Sequence, residues 1–527
     1  MSTSFSLLAT LCLAGVLTSI PAPETEPADA MYDPQRQNEV LHPPLSPQVP
    51  LRRRMSTNSQ LFTRGPWGTA NEPSNIVGTF WLQEKPDGPR FSVNELKDIL
   101  GKRALRFERL RSLLVSTATD LREWQPLTDE EIDLDLHVST TTIPRKSLIK
   151  HLVGERLRHR WDEGLLPWRA VLVRVDEDPS VCCVIIDLHH GVGDGLSCVR
   201  VLFDMLTLDA EGMKRLPPMM DIKNMKAKPN RRKAGLIAVQ QAVVSHILML
   251  LAIFGGLWRT ILNAVWIADT PNGLRSSHFP VIQKLQNKLA IEYLPDVSLD
   301  AIKQIKNAYG NKATINDVMV AALAGAYRRL LIERGNPTLT SNSLTEDNKD
   351  MVFRAFCPFS FPRPIGPDDT DLHNGFAFVT LDVPVGVSGA PSRRVAAVQE
   401  TTTKMKKGLD PVVMKGLQLV GAVLLGYEFV SLVALQLNLR HSILFTNVPG
   451  PKEPAYLCGR EVISMMPTVS GAGSSWTLLS YAGKVHMSFN YEKKLYGDNP
   501  GRVGELFIEE LERMQEEVNL PTMRLLV

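Results

Sequence analysis

The chain has 527 residues, of which 44% are apolar and 22% charged. That composition is globular, and the length is too great for one ordinary core, so two domains with extra segments are expected. A net charge of +3, from 59 basic against 56 acidic residues, is too balanced to point to nucleic acid as a partner.

Residues 5–20, FSLLATLCLAGVLTSI, form an apolar run shorter than the roughly 20 residues that span a bilayer. No Lys or Arg precedes it, so a cleaved signal, a short anchor and an organelle-targeting segment all stay open as readings. Residues 21–60 are rich in Pro and polar residues and read as a disordered linker. Arg52, Arg53 and Arg54 would place the body of the protein in the cytosol if the first segment stays in a membrane.

A strand is predicted over 75–84, and a helix running into a strand start over 91–115. An amphipathic helix follows over 147–161, then two strands, WRAVLVRV (168–175) and VCCVIIDL (181–188), joined by the turn DEDPS. The second strand is apolar on both faces and reads as central and buried. Its two cysteines, Cys182 and Cys183, read as buried small hydrophobes. The six cysteines contain no CxxC pair, and no His cluster has zinc spacing, so neither a disulfide framework nor a metal site is expected.

A helix over 195–208 leads to a basic run (Lys223, Lys226, Lys228, Arg231, Arg232, Lys233). A long hydrophobic stretch then runs over 234–269, interrupted by Gly255 and Gly256. It reads either as buried core helices or as a membrane-docking segment with a cationic collar. A single crossing would put the two halves of the chain on opposite sides of a membrane. A docked segment therefore lies in the interface or returns as a hairpin. Strand and helix resume over 288–310, with a long helix over 313–335 and strands over 374–385 and 441–451. A hairpin over 475–492 turns at Ala482–Gly483, and an amphipathic helix closes the chain. The expected fold is α/β: two domains with mixed sheets. The expected boundaries are an anchor and linker (1–60), a first domain (61–215), a basic and hydrophobic linker (216–285) and a second domain (286–527).

The segment DLHHGVGDGLS (187–197) carries the chemistry. A His just past a central strand has a fixed backbone and an open side, which suits a general base, and its ordinary pKa near 6.5 leaves it able to accept a proton. A metal ligand and a packed structural His are the other readings, but no third ligand stands at matching spacing. Gly191, Gly193 and Gly195 permit a tight loop. Asp194 could pair with an Arg and hold that loop in shape.

His189-His190-x-x-x-Asp194-Gly195 resembles the active-site motif of the wax ester synthase/diacylglycerol acyltransferase family, within the chloramphenicol-acetyltransferase-like acyltransferases. WDEGLLPWRAVLV (161–173), INDVMVAALAGAYRRLL (315–331), TNVPGPKEPAYLCGREV (446–462) and LLSYAGKVHMSFNYE (478–492) resemble that family's other segments, in its order. The resemblance implies two such domains with a tunnel between them. It also implies His190 as catalytic base, with His189 and Asp194 supporting it. Asn316 and Asp317 would lie near the site, although Thr314-x-x-Asp317 also reads as a plain capping box. Asn447, Pro449, Gly450 and Pro451 would form a rigid turn beside the site, or simply end a strand. The segment SGAGSSW (470–476) would bear on chain length.

The implied reaction moves a long acyl chain from acyl-CoA, the co-substrate, to a fatty alcohol or diacylglycerol. No bound cofactor or metal is needed. A membrane or lipid-droplet surface is the expected partner, and the cytosolic face of the endoplasmic reticulum the expected location. A catalytically inactive membrane-associated lipid-binding protein, or a related enzyme with another alcohol acceptor, is the alternative.

Overall fold

The structure is a computed structural model. It describes residues 52–63, 74–117, 121–216, 255, 258, 268–274, 289–310, 312–339, 345–361, 369–408, 410–469, 474–497, 499–520 and 525–526. The N-terminal apolar run and nearly all of the 234–269 stretch lie outside these residues.

Two mixed sheets organise the chain. The first contains β1 (Asn75–Gln83), β2 (Val138–Ile143), β3 (Trp168–Val175) and β4 (Val181–His189). The second contains β5 (Leu289–Tyr293), β6 (Arg354–Ser360), β7 (Phe376–Asp382) and β8 (Ile443–Pro449). The last strands are shared out: β9 (Tyr456–Leu457) and β10 (Arg460–Val469) return to the first sheet, while β11 (Ser475–Tyr481) and β12 (Lys484–Glu492) complete the second. The strand orders are β9-β10-β1-β4-β3-β2 and β7-β6-β8-β11-β12-β5. Strand β4 lies inside its sheet between β1 and β3, both antiparallel to it, as its two-faced apolar pattern requires. The β11–β12 hairpin turns at Ala482 and Gly483, both with positive φ (46° and 78°). Such a turn matches the twist of the flanking strands.

The expected boundary near residue 286 therefore separates the chain but not the sheets, because β9 and β10 cross back. Part of the expected docking linker is core instead. Asp269 is buried, with Oδ1 accepting from Arg354 Nε at 2.7 Å, and Asn272 Nδ2 donates to Ser442 Oγ at 2.8 Å. The expected disordered linker also ends early, since Thr57–Thr63 forms a helix, α1, whose residues 58–62 are buried.

Helices fill the layers around the sheets. The expected long helix over 91–115 is shorter: α2 (Val93–Ile99) starts with a Ser92/Glu95 capping box and then widens into a π turn over Leu100–Ala104. After α3 (Ile149–Leu157) and α4 (Gly195–Met205), helix α5 (Leu299–Ala308) packs in the second half. Helix α6 (Ile315–Glu333) is apolar nearly all round and runs through the second core, as such a helix must. Sequence patterning missed α7 (Pro391–Lys407), α8 (Asp410–Leu425) and α9 (Tyr427–Leu439). Helix α10 (Arg502–Glu517) closes the chain.

Arg460 ties the returning strand to the first half. Its Nε pairs with Glu84 Oε2 and its Nη1 with Glu95 Oε1, each at 3.0 Å, and its guanidinium lies 4.7 Å from the Phe91 ring centroid. Arg460 and Glu84 are buried. Arg460→Ala leaves the buried Glu84 carboxylate with only the Phe91 N–H and the more distant Arg174, whose Nη1 lies 3.8 Å away. A loss of about 3 kcal/mol in urea-unfolding free energy is expected, the low end of what breaking a buried pair costs. A loss below about 1 kcal/mol, the range of exposed ion pairs, would show that the network does not hold the strand.

Candidate active site

Side chains alternate along β4. Ile186, Leu188 and then His190 face a cavity between the two halves. Asp187 and His189 point the other way. Arg156 Nη1 donates to Asp187 Oδ1 at 3.1 Å, yet burial still pushes this carboxyl up to about 6. Burial holds His189 down to about 3, so its ring is neutral and its Nδ1 accepts the Gly191 N–H at 3.0 Å. His189 shapes the turn and does not line the cavity.

His190 does line it. Its N–H donates to the Ser74 carbonyl at 2.8 Å, carrying the strand pairing one residue further. Its ring stacks on Phe62 from α1, with centroids 4.1 Å apart and planes 18° from parallel, and meets Phe376 at 5.9 Å. Burial lowers its pKa below the ordinary value, against the opposing charge of Asp194. The result is a neutral imidazole at near-neutral pH, able to take a proton.

The loop after His190 is pinned from the second half, by backbone amides and not by the Arg expected to pair with Asp194. Asp194 Oδ1 caps α4 through the Ser197 N–H at 2.9 Å, and Oδ2 accepts the Gly375 N–H at 2.8 Å. The Asp194 N–H donates to the His373 carbonyl at 3.2 Å, and Ser197 Oγ donates to the same carbonyl at 2.8 Å. Asn374 Nδ2 donates to the His190 carbonyl at 2.8 Å and to the Gly191 carbonyl at 3.2 Å. An Arg does reach the loop elsewhere: Arg109 Nη1 donates to the Val192 carbonyl at 3.1 Å. Glycine is needed at two positions for closeness. A Cβ on Gly191 would sit 2.8 Å from His189 Nδ1, and one on Gly193 would sit 2.7 Å from Ser197 Cβ.

His190, Gly193, Asp194, Gly195 and Asn447 all line the cavity. Asn316 stands just behind it, its Oδ1 accepting from Asn447 Nδ2 at 2.6 Å. Asp317 is a capping residue: Oδ2 accepts the Thr314 N–H at 2.8 Å, and Oδ1 accepts from Thr402 Oγ1 at 2.9 Å. Pro449, Gly450 and Pro451 end β8 outside the cavity, where the Gly450 N–H donates to the Ser480 carbonyl at 2.9 Å. Trp476 does not reach the cavity. It is buried in the second core, with Nε1 donating to Tyr327 Oη at 2.8 Å, while residues 470–473 lie outside the described residues. Thr477 lines the cavity instead.

Sequence reasoning missed Phe62 and Asn374. The tripeptide His373-Asn374-Gly375 just before β7 was the available signal for the second. The cavity walls are mostly apolar, from Phe80, Val201, Phe376, Phe378, Leu444 and their neighbours. They surround a space that opens to solvent. The π turn after α2 contributes Leu100 and Ala104 to this wall.

Two mixed-sheet halves, a His at a strand end and a mostly apolar cavity between them match the class of α/β fold expected from the sequence. The comparisons with known proteins narrow the class. Residues 66–319 match the wax ester synthase/diacylglycerol acyltransferase catalytic domain, and residues 372–515 match the WS/DGAT C-terminal domain. The chain belongs to this family and is an acyltransferase. It is 21% identical to the O-acyltransferase WSD of Acinetobacter baylyi over 427 residues, covering 79% of this chain and 87% of that one. It is 23% identical to the wax ester synthase/diacylglycerol acyltransferase 11 of Arabidopsis thaliana over 369 residues, covering 67% and 73%. The structure of the wax ester synthase/diacylglycerol acyltransferase from Marinobacter aquaeolei VT8 superposes with a TM-score of 0.58 at 18% identity, over 89% of this chain and 100% of that one.

Two outcomes follow from the geometry. Phe62→Ala lets water reach the His190 ring, so the imidazole pKa should rise toward the ordinary value near 6.5. An NMR titration, with the His190 signal assigned by its loss in His190→Gln, reads this directly, and an unchanged or lower pKa would contradict it. Asp194→Ala removes the α4 cap and leaves the Gly375 N–H without its carboxylate. A stability loss of at least about 1–2 kcal/mol in urea unfolding is expected.

Proposed function

We propose that this acyltransferase moves a long acyl chain from acyl-CoA to the hydroxyl of a fatty alcohol or diacylglycerol, with His190 as general base. The observation that carries the reading is a part-buried imidazole, stacked on Phe62 and set in the wall of a mostly apolar cavity between the two halves, where burial lowers its pKa.

An alcohol is a poor nucleophile until its proton leaves. In the proposed step, His190 takes that proton as the alcohol oxygen bonds to the thioester carbonyl carbon. The tetrahedral intermediate collapses by breaking the carbon–sulfur bond. The imidazolium returns the proton to the departing thiolate, a good leaving group since thiols have pKa near 8.5. The products are an ester and free CoA, and no covalent enzyme intermediate, cofactor or metal takes part. The apolar walls suit an acyl chain, and excluding water protects the thioester from hydrolysis. Asp194 and Asn374 act as positioning residues, because they hold the backbone of the loop that follows His190. An acceptor of this kind is carried in a bilayer, and the cytosolic face of the endoplasmic reticulum, where acyl-CoA is accessible, is the proposed location.

The test is product formation from labelled palmitoyl-CoA with hexadecanol or diacylglycerol offered in parallel. Wild type should give ester, and His190→Ala should lose roughly 10²- to 10⁴-fold in rate. Equal turnover by both proteins would remove His190 as the base. No product from wild type with either acceptor would favour another alcohol or a lipid-binding role without catalysis.

A further inference from the structure

Helix α8 is built the wrong way round for water. Its inner stripe, Pro411, Gln418 and Ala422, is buried against the protein. Its outer stripe should then be polar. Instead Val412, Leu419, Val420, Val423, Leu424 and Leu425 each keep between 53% and 75% of their surface exposed. They follow the spacing of three and four that aligns side chains along one helix face. Among the exposed positions of this face only Lys415 carries charge. Single exposed apolar residues are ordinary, but a contiguous ridge of six marks an interaction surface.

The ridge has a position that matters. Leu61 of α1 clusters with Ala422 and Val430, while the next residue, Phe62, clusters with Phe376, Phe378 and Leu444 of the cavity wall. Met414 of α8 packs on that same wall cluster. An apolar path one helix thick thus separates the exposed ridge from the cavity. The flanking charge is mixed: at the end of α7 Lys404 is paired with Glu400 at 2.7 Å and Lys406 is exposed, Lys415 lies on α8 with its ammonium 4.4 Å from the Phe361 ring centroid, and Glu428 is exposed just past the ridge. Among the described residues no single helix is long and apolar enough to cross a membrane. Helices α7 and α8 pass that test only together, across a 51° bend. The 16 residues of α8 span about 24 Å, short of the roughly 30 Å hydrocarbon core.

We propose that the outer face of α8 docks the protein onto a phospholipid bilayer bearing anionic headgroups. The helix lies in the interfacial plane, its ridge among the acyl chains and Lys406 and Lys415 at headgroup level. The ridge carries almost no hydrogen-bonding groups, which suits a fluid apolar medium better than a folded protein surface with a polar rim. Docking there brings the acceptor's own solvent against the wall of the cavity. The proposal deepens the reading of a bilayer-borne acceptor, but its test does not depend on turnover.

The test uses the full chain and vesicles of phosphatidylcholine with and without phosphatidylserine. An environment-sensitive fluorophore is attached at Val423→Cys, with Cys12 and Cys458 changed to Ser. Vesicles should shift its emission to the blue, more strongly with phosphatidylserine, while the same probe at Met213→Cys, an exposed position of the first half, stays water-like. The triple variant Leu419→Glu, Val423→Glu, Leu424→Glu should bind such vesicles roughly five-fold or more weakly, with an unchanged thermal melt. A water-like probe at position 423 on vesicle-bound protein overturns the proposal. So does a probe that shifts without vesicles in step with dimer formation, which would assign the ridge to a second copy of the chain. Because binding is read without catalysis, an inactive but normally docking protein would count against the acyl-transfer reading alone.

Discussion

The tripeptide His373-Asn374-Gly375 grips the loop that carries His190, and the rest of the site depends on that grip. It comes from the second half of the chain and acts on the first. Asp194 is satisfied on one oxygen by its own helix and on the other by Gly375, so a single carboxylate joins a local cap to a long-range contact. Asn374 holds the carbonyls of His190 and Gly191. Each of these bonds is modest alone, but leaving any buried partner unmade costs more than the bond is worth. The site is therefore a product of assembly. Neither half has a finished loop without the other.

The environment of the two adjacent histidines shows how strand geometry assigns roles. One residue of offset places His189 against the back of the sheet, neutral and accepting from Gly191, and His190 against the cavity and Phe62. Burial disfavours the charged form of both. For His189 this secures an acceptor for a tight turn. For His190 it keeps a lone pair available in an apolar place, which is what a base acting on an alcohol needs.

Much of this was legible from local pattern. The strands over 168–175 and 181–188, the hairpin at Ala482–Gly483, the capped helix from Ile315 and the loop glycines all declare themselves through period, turn chemistry or motif. What stayed hidden was set by distance or by composition. Phe62 sits in a stretch whose Pro- and Ser-rich approach reads as linker, and nothing nearby reveals that its ring covers His190. Strand β10 could be read as a strand, but only its pairing with β1 places it in the first sheet. Helices α8 and α9 escaped because their apolar residues occupy both stripes, which leaves no polar face to generate a helical period. Asp194 was read as an Arg partner because side-chain chemistry suggests one, whereas backbone amides, invisible in a sequence, took the place.

The crossing of β10 also bears on how the protein is made. Strand β1 lies between β10 and β4, so its outer edge has no partner until residues 460–469 have been synthesised. Until then the nascent first sheet carries an open, largely apolar strand edge, the kind of surface that invites pairing between chains. More than 370 residues separate β1 from β10, and the edge cannot close before they are made. Shielding of the waiting edge in the cell is thus a demand built into the topology, and a chain stopped short of β10 would leave it exposed for good.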